Sequence, residues 1–139
     1  MTQGPTEIRP GYGKTVDRPF DETLRQVEEA LEKEGFGIMT RIDVKDALKK
    51  KIDVDFHPFQ IPGACMPRMA HKALTAAPEV GVLLPCNVVV RHVDDAHTRV
   101  EVINTAAMTM MFPGGELNEV ATTVGKHLDN VLADLTSSG

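Results

Sequence analysis

Cys65 stands in IPGACMPRMAH and Cys86 in PEVGVLLPCNVVV, two Pro-flanked junctions whose thiols carry the widest chemistry this chain offers. Cysteine acts as nucleophile or metal ligand in its thiolate form, which unpaired helix N–H groups or a nearby cation stabilise. Pro67 suits the first turn of a helix, so Cys65 is expected at a helix mouth, with Arg68 adding positive charge in that turn. The expectation is a lowered thiol pKa and a reactive or metal-binding Cys65. His71 falls on the same short helix and would orient or deprotonate the thiol in a Cys–His pair. The plainer alternative makes Cys65 a small buried hydrophobe and His71 a surface or core-edge residue.

Cys86 follows Pro85 within an apolar run, where a thiol packs as inert core. A second possibility holds if Leu84-Pro85-Cys86-Asn87 lies beside the Cys65 helix. The two sulfurs then face one cavity, as a redox pair or as soft-metal ligands with His71. Their separation fits no close-spaced zinc or thioredoxin motif. The run Met108-Thr109-Met110-Met111 offers thioethers that suit cuprous copper, against a role in lining a core or a dimer interface near Phe112. His57, before Pro58, has the same two readings as His71, and His92, His97 and His127 read as solvent-facing or cap-related. Asp43 reads as a helix cap and Asp53 and Asp55 as loop residues, so these carboxylates are assigned to structure. Gly35-Phe36-Gly37 and Gly114-Gly115 lack the further glycines and the lysine of a phosphate loop and read as turns.

The elements that must position these groups follow from periodicity. Residues 1–11 are polar, with Pro5, Pro10 and Gly11, and read as a flexible lead-in; residues 12–139 read as a single domain. An early strand is expected around Tyr12 to Val16. From Pro19 to Lys33, Phe20, Leu24, Val27 and Leu31 recur at helical spacing, with Asp17 as the expected cap and Gly35 as a left-handed stop. A strand over Phe36 to Ile42 leads to a short helix capped by Asp43 and running to about Lys50. Phe56 to Ala64 holds Pro58 and Pro62 and predicts an edge strand or an extended connection. Pro67 to Leu74 predicts a short helix, Val80 to Leu84 and Asn87 to Val93 predict strands, and Asp94 to His97 turns into a strand over Arg99 to Ile103. After a loop holding the methionines, Leu117, Val120, Val124, Leu128, Val131 and Leu135 stripe a final helix. The sum is an α+β fold in two layers: a mostly antiparallel sheet backed by two long helices, with one or two short helices.

Composition narrows the function classes. At 139 residues the chain is long enough for one core, and 42% apolar with 25% charged residues is ordinary for a globular domain. A formal charge of −5 with interspersed signs leaves no basic stripe for phosphates, so nucleic acid is not expected as a partner. The tract Lys49-Lys50-Lys51 reads as a complement to a helix C-terminus. No run is apolar and long enough for an export signal or a membrane span, so a cytoplasmic location with reduced thiols is expected. With no Trp and one Tyr, aromatic stacking platforms are not expected.

The blocks EGFGIMTRIDVKDALKK, IPGACMPRMAHKAL and PEVGVLLPCNVVV occur in this order and set both cysteines in Gly-Ala-Cys and Leu-Leu-Pro-Cys. They resemble the bacterial and archaeal family called domain of unknown function 302, from about Tyr12 to Leu135. The resemblance implies a compact α+β domain with a helix-backed sheet and is compatible with dimers; it names no reaction. This chain departs from the family pattern at Met66, where a polar residue such as Asn is common, and at Thr105, where Pro often follows Asn. The leading expectation is a binding module in a homodimer, with a pocket for a small ligand or soft metal formed by Cys65, Pro67, Arg68, His71, Cys86 and Asn87. The alternatives are a thiol-dependent enzyme or redox protein using Cys65, and a structural dimerisation domain with inert cysteines.

Overall fold

The computed structural model describes residues 9–112 and 114–135. Its five strands are β1 (Gly11–Val16), β2 (Gly37–Asp43), β3 (Phe59–Cys65), β4 (Cys86–Asp94) and β5 (His97–Ile103). They form one sheet in the order β1-β5-β4-β3-β2, antiparallel at every junction. The helices are α1 (Phe20–Lys33), α2 (Val44–Ile52), α3 (Pro67–Ala76), α4 (Ala106–Met111) and α5 (Gly115–Asp134). The expected architecture, an antiparallel sheet backed by two long helices, is the one observed. Residues 1–8 of the expected lead-in and residues 136–139 lie outside the described residues, and β1 already begins at Gly11.

Alternation along the strands sorts the side chains onto two faces. Val88 pairs with Val102 and Val90 with Val100, and all four are buried. The apolar stripes of α1 (Val27, Leu31) and α5 (Leu117, Val120, Val124, Leu128, Val131) join them in one core. Each such side chain contributes about 1.5–3 kcal/mol relative to an exposed position, so the two stripes hold both helices to this face. Alternation turns Phe59, Ile61, Asn87, Val89, Arg91, Glu101 and Ile103 toward the opposite face.

The helix ends have local causes. Asp43 caps α2 as expected, its Oδ1 accepting the Asp46 N–H at 2.9 Å. Gly35, at φ +96°, supplies the left-handed stop after α1, and the buried Phe36 closes the turn with its N–H on the Leu31 carbonyl. Asp17 does not cap α1. Pro19 occupies that position without a side-chain cap, and the Asp17 carboxylate lies 3.2 Å from His97 instead.

Three segments differ from expectation. β3 is an interior strand, not an edge. Its pairing with β4 holds at Phe59/Arg91 and Gln60/Val90, skips Ile61 and Pro62, and resumes at Gly63/Asn87 and Ala64/Cys86. The donor that Pro62 lacks is absorbed as a local gap, because the ladder continues on both sides of it. Val80 to Leu84 is not a strand: Pro78 opens a 3₁₀ helix over Pro78–Leu83 that buries Val80 and leaves Val82 86% exposed. The methionine loop is a helix, α4, whose first N–H group, that of Ala106, bonds the Asn104 side chain at 3.1 Å. Helical phase buries Met108 and exposes Met110 and Met111, so the three thioethers do not converge on one ion.

Gly63 is a packing requirement. A Cβ there would collide with Thr40 Oγ1 and lie 2.7 Å from the Pro85 ring, which packs on the strand at this point. Gly63→Ala is expected to lower the unfolding free energy by about 1–3 kcal/mol, the range for overpacking. Urea denaturation measures this, and an unchanged midpoint would show that the ring and hydroxyl yield freely.

Candidate functional site

The two thiols meet where β3 ends and β4 begins. Ala64 and Cys86 are direct partners across the ladder, so Cys65 is the next residue along, diagonal to Cys86. Cys86 shares the core-facing side with Ala64 and is 6% exposed, within the main core. By alternation Cys65 belongs to the opposite face, where it is half-buried. The strands therefore bring the two cysteines together as neighbours, and both are free thiols.

The expected activation of Cys65 does not occur. Burial pushes its thiol above the ordinary cysteine range. The reason is position: β3 runs through Cys65 and Met66 is the cap of α3, so the thiol belongs to a strand and not to the first turn of the helix. Burial likewise pushes Cys86 up to about 11, and a charge on Cys65 would raise it further. The sulfurs are thus close enough to sense one another, and both are protonated near neutral pH. Pro67, Arg68 and His71 are exposed on α3. Among the described residues no hydrogen bond joins the His71 ring to Cys65, and His71 receives only the Thr75 hydroxyl, on its backbone carbonyl. No group of three His, Cys, Asp or Glu side chains that could hold a metal ion occurs among them either, so Cys65, Cys86 and His71 do not form one ligand set.

Of the expected site residues, Asn87 lines a surface cavity. That cavity, of about 350 Å³ on the sheet face away from α1, is walled by Pro10, Gly11, Asn87, Val89, Glu101 and Ile103. Above it Glu101 lies 3.4 Å from both Arg91 and Arg99. The remaining histidines have structural partners. His97 sits between Asp94 at 2.7 Å and Asp17 at 3.2 Å, and these carboxylates raise its pKa. His127 pairs at 2.8 Å with Glu34 at the end of α1. His57 lies tilted against Phe56, ring centroids 4.1 Å apart, with the Phe59 ring 5.9 Å away.

One polar pairing had no local sequence signal. Tyr12 donates its hydroxyl to Asp129 at 2.5 Å, joining residues 117 positions apart. Burial first, then this hydrogen bond, push the phenol up to about 12, so it stays a donor.

The raised Cys86 pKa sets a pH dependence. A thiol whose folded pKa exceeds its unfolded value of about 8.5 contributes stability that is present below the latter and lost as pH rises through the former. The folded protein is therefore expected to lose stability between about pH 8.5 and about 11 more steeply than a Cys86→Ala variant. Urea midpoints across that window compare the two, and parallel curves would refute the assignment.

Comparison with known proteins bears on the family and the fold. The family model for domain of unknown function DUF302 matches residues 12–135. The crystal structure of an uncharacterized conserved DUF302 protein from Bacillus stearothermophilus superposes with a TM-score of 0.81 at 29% identity, covering 91% of this chain and 98% of that one. None of the curated proteins matches. Three ordered sequence blocks, a match across nearly the whole chain and a shared fold make this chain a member of the DUF302 family.

Proposed function

We propose that this chain is a small binding domain that works as a homodimer, with the sheet face opposite α1 as its working surface. The observation that supports the reading is the composition of that face. Ile42 and Val93 are each 49% exposed there, and Phe59, Ile61, Val89 and Ile103 are half-buried beside them. Aliphatic side chains left open on a sheet face around paired charges are the kind of surface that a protein partner covers. The occupant is a second copy, because the central charges alternate as Arg91, Glu101 and Arg99 and can interdigitate across a two-fold axis. The Asn87 cavity opens on the same face and is of a size that suits a small molecule. In this reading Cys65 borders the face, Cys86 is core, and a reducing, cytoplasmic setting keeps both as thiols.

Sedimentation velocity tests this reading. The wild-type chain is expected to sediment as a dimer. Ile61→Glu is expected to weaken association by at least about a hundredfold, since it buries an unpaired carboxylate, with an unchanged far-UV circular dichroism spectrum. A wild-type monomer at every concentration tested, or an Ile61→Glu dimer of undiminished affinity, would overturn the proposal.

A further inference from the structure

A second cleft lies on the other side of the molecule, between β1, the Asn104–Ala106 turn and α5. It has a volume of about 460 Å³, and Tyr12, Thr109, Asn118, Thr122, Lys126 and Asp129 bring polar groups to its rim over a lining that includes Ala106, Ala121 and Gly125. Four of these residues recur along α5 at steps of four, four and three, so they share one helix face. They form a polar stripe beside the apolar stripe of Val120, Val124, Leu128 and Val131 that faces the core.

The floor of the cleft is built by a glycine. Gly125 stands in the middle of α5, where it costs up to about 1 kcal/mol relative to alanine. A Cβ there would lie 2.7 Å from Thr105 Oγ1, whose hydrogen goes to the Ala121 carbonyl at 2.8 Å. Glycine thus lets the turn after β5 sit against the helix with its buried hydroxyl bonded.

Two opposite charges face this space without neutralising each other. Lys126 and Asp129 are three residues apart on α5, a spacing that permits an ion pair, yet none forms. Lys126 has no hydrogen bond or ion pair among the described residues. Asp129, which lines the cleft, accepts the Tyr12 hydroxyl on one oxygen, and its other oxygen takes no hydrogen bond among the described residues. A ligand that is only an anion meets repulsion from Asp129, and one that is only a cation meets it from Lys126. A molecule carrying both charges satisfies both groups, while Asn118 and Thr122 offer neutral hydrogen bonds. We infer that this cleft binds a small zwitterion of the amino-acid class, its ammonium on Asp129 and its carboxylate on Lys126.

The test is an amide-resolved NMR titration of the full chain with L-serine, L-threonine and L-glutamine, using N-acetyl-L-serine and L-serine amide as single-charge controls. Saturable shifts are expected at Thr122, Gly125 and neighbouring cleft residues for at least one free amino acid. The controls are expected to bind at least about tenfold more weakly, the loss of one charged contact. Lys126→Ala and Asp129→Asn should each reduce affinity by about tenfold, and Lys126→Arg should retain it. Lys126 has no partner among the described residues to lose, so Lys126→Ala is expected to keep its melting temperature and separates binding from folding. Absence of saturable shifts, shifts confined to another surface, equal binding of the blocked controls, or undiminished binding by Lys126→Ala would each overturn the inference.

Discussion

The structure turns on the passage of α1 from one edge of the sheet to the other. β1 and β2 are consecutive strands, yet they are the two outermost in a five-stranded sheet. Crossing it means covering four inter-strand gaps, about 19 Å at the usual spacing. A helix of 14 residues spans about 21 Å. The match lets a single unbroken helix close the fold, and both ends of the crossing are tied. Thr98 of β5 donates its hydroxyl to the Arg18 carbonyl at 2.8 Å just before α1, and Arg41 of β2 makes a two-pronged contact with Glu28 at 2.9 Å. Once α1 lies on one face, that face is the core. α5 then joins the same layer, held to α1 through Glu34, His127 and Asn130. The two faces of the sheet consequently differ in kind, and the open one remains available for association.

The same crossing decides the fate of the thiols. Because the covered face is the core, the pleat assigns Cys86 to the interior together with Val88 and Val90, and Cys65 to the other side. A thiol inside an apolar core is stabilised in its neutral form, since an unpaired charge there forfeits hydration. A helix mouth lowers a thiol pKa only when the sulfur reaches the first turn. Here Cys65 is the last residue of β3, and the cap residue Met66 intervenes before Pro67. The chemistry that the types Cys, Arg and His suggest depends on geometry that β3 does not supply.

Much of the architecture was legible because its causes are local. The stripe of Phe20, Leu24, Val27 and Leu31, the Asp43 cap and the left-handed Gly35 each act within a few residues, and each forms as expected. β3 was misplaced because Pro62 argues for an edge only if its neighbours cannot absorb one missing donor, and the two-residue gap opposite β4 does so. The 3₁₀ helix over Pro78–Leu83 looks like a strand by composition, and only the flanking prolines mark it otherwise. In the candidate sites the visible part was Asn87, at an element end beside an apolar strand. The pairing of Tyr12 with Asp129 was illegible, since no local pattern links residues at opposite ends of the chain.

Two glycines show how a local penalty becomes a site or merely a contact. Gly63 and Gly125 both stand where a regular element favours a side chain, and in both a Cβ would strike a neighbour. At Gly63 the space is filled by Pro85 and Thr40, so the outcome is density and no cavity. At Gly125 the neighbour is one hydroxyl oxygen already bonded to the Ala121 carbonyl, and the volume above it stays open beside the polar side chains of α5. A sequence that only needed α5 to pack would tolerate alanine there by moving the turn outward. Keeping the turn close instead brings Asn104, Thr105 and Thr109 within reach of the stripe that carries Lys126 and Asp129. Departures from local preference concentrate where close approach is needed, and of the two glycines only this one frames open polar space.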